Sequence, residues 1–246
     1  MKYLLLTFLF LAQMASAQIV LSGSAALSGA SGFNTLVAPV GNGNVWTFVG
    51  STNWDGTATP TYSRTAGNVL ICFAKWEGAG GTGTNFSAGN DTNFNMRAQS
   101  DHGNGDLHSI MGWKVIQYSE ASTINIQISG GTPSFVRIIA TEWSVSGTVS
   151  FDQYVATTGT SASVATGNIT TSRNNTLCLV GYGEYTSGVP SVYQINGVAG
   201  TIIPGDTAHG STQIWYRKPT TTFIGQGTAT ISSSAWIGQL GSWYAE

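Results

Sequence analysis

The stretch that decides the fold is SFVRIIATEWSV, residues 134–145. Side chains alternate between the two faces of a β-strand. Val136, Ile138, Ala140 and Glu142 therefore share one face, and Arg137, Ile139, Thr141 and Trp143 share the other. Both faces carry apolar residues, which predicts a central strand covered on each side. Glu142 then lies in line with hydrophobic neighbours, where a carboxylate must be hydrogen-bonded or shift its protonation equilibrium. Two roles fit it: an acid that ties a turn to the sheet, or a catalytic acid.

Working outward, the same texture recurs. Short runs rich in β-branched and aromatic residues, such as NVLICFAKW (68–76), TINIQIS (123–129), TLCLVGYGEY (176–185) and WIGQLGSWYA (236–245), alternate with Gly, Asn, Ser and Thr clusters. No segment shows sustained helical periodicity. The expectation is an all-β, antiparallel two-sheet β-sandwich of jelly-roll or immunoglobulin-like type, a single domain over 45–246. Val69, Ile71, Ile138, Leu177 and Leu179 are expected in its core. An echo, SRTAGNVLIC (63–72) against SRNNTLC (172–178), passes each time from Ser-Arg through Asn into an apolar strand, as a sandwich of two similar halves would.

The N-terminus reads as an export signal. Lys2, the apolar run Leu4–Leu11, and Ala15 and Ala17 around Ser16 predict a signal peptide over 1–17 and a mature chain from Gln18. Residues 18–44, small and Gly-rich, predict a leader or edge strand, and no segment has the length and apolarity of a transmembrane helix. Charged residues make up 8% of the chain, with a formal net charge of −2, against about 25% charged in ordinary soluble domains. This excludes nucleic acid as a partner, because no basic surface is available to neutralise phosphates.

Cys72 and Cys178 each sit in an apolar strand-like run of an exported chain, so a buried pair near one another is expected, either as a disulfide or as two small hydrophobes. GAGGTG (78–83) fits G-x-G-x-x-G through Gly78, Gly80 and Gly83. It lacks the following helix whose N-terminus would hold a pyrophosphate, and no nucleophile elbow, H-E-x-x-H or P-loop occurs.

DHGNGDLH (101–108) is the densest ionisable stretch. Asp101, Asn104 and Asp106, with Asp91 approaching from the preceding loop, offer oxygen ligands for a structural calcium ion. The alternative is a solvated turn built of the same residue types. Residues 77–108 are expected to form a long, mobile surface loop, having too few apolar residues to bury themselves.

The succession NFSAGNDTNFNM, IMGWKVIQYSEASTINIQIS, FVRIIATEWS, SFDQYV and TGNITTSRNNTLCLVG resembles a β-sandwich module recurrent in secreted and surface bacterial proteins and some phage proteins, most of which have no assigned activity. Ser87, Ala88, Gly89 and Asn90 match its turn, and Glu142, Trp143 and Ser144 its later strand. Asn85 stands where an acid is usual, Asp91 precedes Thr92 as an addition, and Val145 replaces a glycine. The resemblance implies a sandwich over 45–246.

The function expected is a secreted or cell-surface, non-catalytic binding or adhesion module for glycans or surface polymers. Asn53, Trp54 and Asp55 are the candidate ligand residues, an indole to stack on a sugar ring beside two groups that bond its hydroxyls. The alternative is a self-associating structural subunit of an extracellular fibre, coat or matrix, whose low charge removes the repulsion between copies. A third, glycan hydrolysis by paired carboxylates, would draw on Glu77, Glu120, Glu142 or Glu184.

Overall fold

A computed structural model describes residues 46–103, 106–185, 189–203 and 212–246. The signal segment 1–17, the leader 18–44 and Asn104 lie outside the described residues. All described secondary structure is β, all its pairings are antiparallel, and among the described residues no helix is long and apolar enough to cross a membrane. Eight strands carry the architecture: β1 (Thr47–Asp55), β2 (Val69–Glu77), β3 (Leu107–Val115), β4 (Ser134–Ser144), β5 (Val149–Gly159), β6 (Leu177–Glu184), β7 (Thr212–Arg217) and β8 (Trp236–Ala245).

The pairing scheme runs twice. One sheet orders its strands β1-β4-β2-β3 and the other β5-β8-β6-β7, so each places its last long strand between its first and second. The minor ladders repeat too. Thr82–Ala88 pairs with Ile124–Ser129 in the first half, as Ser191–Ile195 pairs with Gly227–Thr230 in the second. Tyr62–Ser63 pairs with Ala121–Ser122, as Ile169–Thr170 pairs with Ile224–Gly225. Even an irregularity recurs. Phe48 sits opposite Trp143 and the ladder bulges at the next residue, and Phe151 sits opposite Trp243 with a bulge at the next residue. Both Phe–Trp pairs are edge-on, at 5.3 and 5.9 Å between ring centroids. The echo at 63–72 and 172–178 leads into β2 and β6, the corresponding strands of the two halves.

Three buried clusters follow from this duplication. Leu70, Cys72, Ala74, Val136, Ile138 and Ala140 pack under the Thr82–Ala88 and Ile124–Ser129 ladder, within the first half. Cys178, Val180, Tyr182, Trp236 and Leu240 belong to the second half alone. The third cluster joins the halves, with Val69, Ile71, Phe73, Ile139 and Trp143 meeting Leu177, Leu179, Ile214 and Trp243. Each long sheet is thus buried on both faces, which explains why β2 and β6 are near-continuous apolar runs. The alternation read in 134–145 holds, as do all five expected core positions, each buried.

Two expectations are corrected here. Cys72 and Cys178 are buried but unbonded. Cys72 faces the first half's own cluster and Cys178 the second half's, so the shared cluster lies between them. Burial pushes both thiols well above the usual range. Nor is 77–108 a mobile loop. It contains strands Thr82–Ala88, Asn95–Met96 and Ser100–His102, and buries Phe86, Ala88 and Phe94. Its glycines mislead because one serves close packing: a Cβ on Gly83 would sit 2.9 Å from the Trp76 ring.

Candidate functional site

One group of ionisable and exposed aromatic residues lies at one end of both sheets. In the first half, Asp55 pairs opposite Arg137, and Lys75 lies between Arg137 and Ser109. In the second, Glu184 lies opposite Trp236, and Gly183 between Ile237 and Thr212. Register makes Lys75 and Gly183 equivalent, and they meet across the seam: a Cβ on Gly183 would lie 2.6 Å from Lys75 Cγ. The seam is apolar along most of its length and polar at this end.

Lys75 Nζ donates to Glu77 Oε1, both residues being buried. Desolvation pushes the amine below the usual lysine range, with Glu77 acting in the opposite direction. Gln239 Nε2 donates to Ser109 Oγ across the seam at 2.8 Å, and Tyr182 donates to Glu184 at 2.8 Å. The cavity above, walled by Asn53, Trp54, Asp55, Arg137, Ile138, Ile139 and Thr212, has a volume of about 10 Å³, room for about one water molecule. The network pairs buried charge, so its chemistry is cohesive.

On either side of residues 104–105 the DHGNGDLH stretch pairs as an antiparallel ladder, Asp101 opposite His108. Asp101 Oδ1 lies 2.6 Å from His108 Nδ1 and accepts from Gln99 at 2.7 Å. The other ring nitrogen faces the Gly78 carbonyl at 3.1 Å, and the ring stacks on Trp76. A nucleophile would need the place that this carbonyl fills.

Among the described calcium candidates, Asp91 does not join the others. Asp91, 1% exposed, accepts from the Gln117 and Tyr118 amides at 3.0 and 3.4 Å, with Lys114 at 3.7 Å and Arg64 at 4.0 Å. It is spent on backbone and cations, Asp101 is spent on His108, and Asp106 is a separate surface residue. No group of three metal-ligating side chains exists among the described residues. The melting temperature is accordingly expected to be the same in calcium and in chelator, measured by calorimetry. A calcium-dependent rise of several degrees would contradict this assignment. Glu142 takes the structural one of its two roles, accepting from the Thr65 amide at 3.0 Å and Asn68 Nδ2 at 2.5 Å, and so ties the 64–68 turn to β4.

Trp54 lies near the end of edge strand β1, not in a turn, and is 53% exposed. The other seven of the eight tryptophans are buried. Asn53, Trp54 and Asp55 line one small pocket together, although they alternate between the two faces of the strand. Trp54 pairs opposite Ile138, on the first half's own face, whereas Asn53 pairs opposite Ile139, on the seam face. Asp55 also points seamward and forms an ion pair with Arg137. The sequence did not reveal Phe135, which is 69% exposed and has φ of 46° in the bulge between Ser134 and Arg137. A left-handed bulky residue is uncommon. Gly56 N donates to Val136 O at 2.6 Å, so the Trp54 and Phe135 segments are adjacent. No family model, curated protein or solved structure matches this chain.

Proposed function

We propose that the chain is an exported, non-catalytic binding module for a neutral polymer such as a glycan, with each half folded as a β-sandwich and the ligand-binding surface at the strand ends. The observation that carries this is Trp54, the single exposed tryptophan of eight, beside the exposed Phe135. Leaving an indole in water forgoes the stabilisation that burial gives the other seven, so its position is supported by contact with a ligand. Indole faces stack on the apolar faces of sugar rings. Low charge favours a neutral ligand, since Arg137, the cation nearest to Trp54 in the sheet, is paired with Asp55.

The test is retention on insoluble cellulose, chitin and starch, and on peptidoglycan. Trp54→Ala is expected to weaken retention by about tenfold or more, as removal of an aromatic anchor does, with an unchanged melting temperature. Equal retention by the variant, or no retention on any of these polymers by the wild type, would overturn the reading. Particle size that grows with protein concentration, with no polymer retained, would favour the self-associating subunit.

A further inference from the structure

A second feature of the same end is a cleft of about 310 Å³ that opens where the halves meet. Its walls are His102, Gly103, Asp106 and Leu107 from the first half and Tyr185 and Ala235 from the second. Ligand pockets typically have volumes of about 300–1,000 Å³ and favour such interfaces. We infer that this cleft is a second subsite, taking one neutral sugar residue of the polymer proposed to stack on Trp54, and it rests on that reading for the identity of the polymer.

The walls are fixed by backbone bonds. Tyr185 N donates to Ala235 O at 3.0 Å, Gly78 N donates to Asp106 O at 3.0 Å, and His102 pairs opposite Leu107. The side chains of His102, Asp106 and Tyr185 have no hydrogen-bond partner among the described residues, unlike neighbouring Asp101, His108, Glu77 and Glu184. Tyr185 is 52% exposed and Ala235 is partly exposed, so both offer apolar surface, while Leu107 is buried behind them. A ligand with one apolar face and a rim of hydroxyls fits this division: the phenol ring takes the face, and the carboxylate and imidazole take the hydroxyls. One carboxylate and one imidazole are too few to hold a metal ion, and no Lys or Arg lines the cleft to hold an anion.

The two subsites lie at the same end of the first sheet, Trp54 on the first half's own face and the cleft at the seam. Trp54 is on β1 and the cleft begins at β3, three strand positions away in the order β1-β4-β2-β3. At about 4.8 Å per strand their offset across the sheet is roughly 14 Å, and a ligand joining them passes over the strand ends. An extended oligosaccharide reaches both, and a monosaccharide fills only one. Linked occupancy raises affinity without new contacts.

The experiment is a ¹⁵N–¹H correlation titration of the exported chain with glucose, galactose, mannose and N-acetylglucosamine, then with cellohexaose, maltohexaose and chitohexaose. We expect shifts of the Leu107 and Ala235 amides and of the Trp54 indole, and at least tenfold tighter binding of a hexasaccharide than of its monosaccharide. Tyr185→Ala should remove the Leu107 and Ala235 shifts while those at Trp54 persist, and Asp106→Asn should weaken them by about fivefold. Shifts confined to Trp54 would overturn the cleft and leave the binding reading standing. Shifts confined to the cleft would overturn the Trp54 platform and retain the subsite. No shift with any of these sugars would overturn both.

Discussion

Phe73→Ala is expected to lower stability by about 3–5 kcal/mol, the cost of removing a fully buried aromatic ring without collapse of the site. For a chain of this size that corresponds to a fall in melting temperature of roughly 6–20 °C. The site cannot collapse easily, because Phe73 fills a space left by a glycine on the facing sheet: a Cβ added at Gly181 would overlap the Phe73 ring. Gly181→Ala should for the same reason cost about 1–3 kcal/mol by overpacking. The two changes must be coupled if the halves meet as described. In the pair Phe73→Leu with Gly181→Ala, the smaller residue makes room for the methyl group, and the loss should be smaller than the sum of the single losses by about 1 kcal/mol or more. Chemical denaturation of the four proteins measures this. Strict additivity would mean that Phe73 and Gly181 do not touch.

Phe73 also shows which parts of the fold were legible in the sequence. Its strand is apolar on both faces, and that property is printed in VLICFAKW, as it is in the alternation of 134–145. What covers each face was not. A strand can be buried on both sides by two layers of one sandwich or by a second copy of the same scheme, and periodicity does not distinguish them. The Ser-Arg-Asn echo pointed to paired halves, yet the stronger marks of repetition, Phe48 with Trp143 and Phe151 with Trp243, lie roughly a hundred residues apart and become visible only through register. The cysteines failed for the same reason. Their matching strand contexts suggested proximity, but equivalent strands present them to separate cores on opposite sides of the seam.

Trp54 was legible as an exposed aromatic because STNWDG surrounds it with polar residues. Asn53 and Asp55, read with it as one site, alternate with it along the strand, and the three meet at one small pocket. Phe135 and Tyr185 gave no sign. A bulge leaves no composition signature at Phe135, and Tyr185 joins Asp106 only when the second half docks beside the first. In 77–108 the abundance of glycine and asparagine outweighed Phe86, Ala88 and Phe94, the residues whose burial orders the segment.

The second large effect is expected at Lys75. Lys75→Met removes the cation that Glu77 faces in a buried site, and stranding one member of a buried pair costs about 3–5 kcal/mol. The stem of Lys75 lies on Gly183, so methionine keeps most of the packing while the charge is lost. If the loss comes from the stranded carboxylate, Glu77→Gln added to Lys75→Met should restore stability to within about 1 kcal/mol of the wild type, since an ion pair replaced on both sides is often neutral. The reverse single change, Glu77→Gln, leaves an ammonium group whose charged form burial already disfavours. It should also be destabilising, because it leaves the other member of the pair without its partner in the same buried site. Urea denaturation of the three variants at neutral pH decides the matter. A double variant as unstable as Lys75→Met would show that packing of the lysine stem, and not the charge left on Glu77, holds the polar end of the seam together.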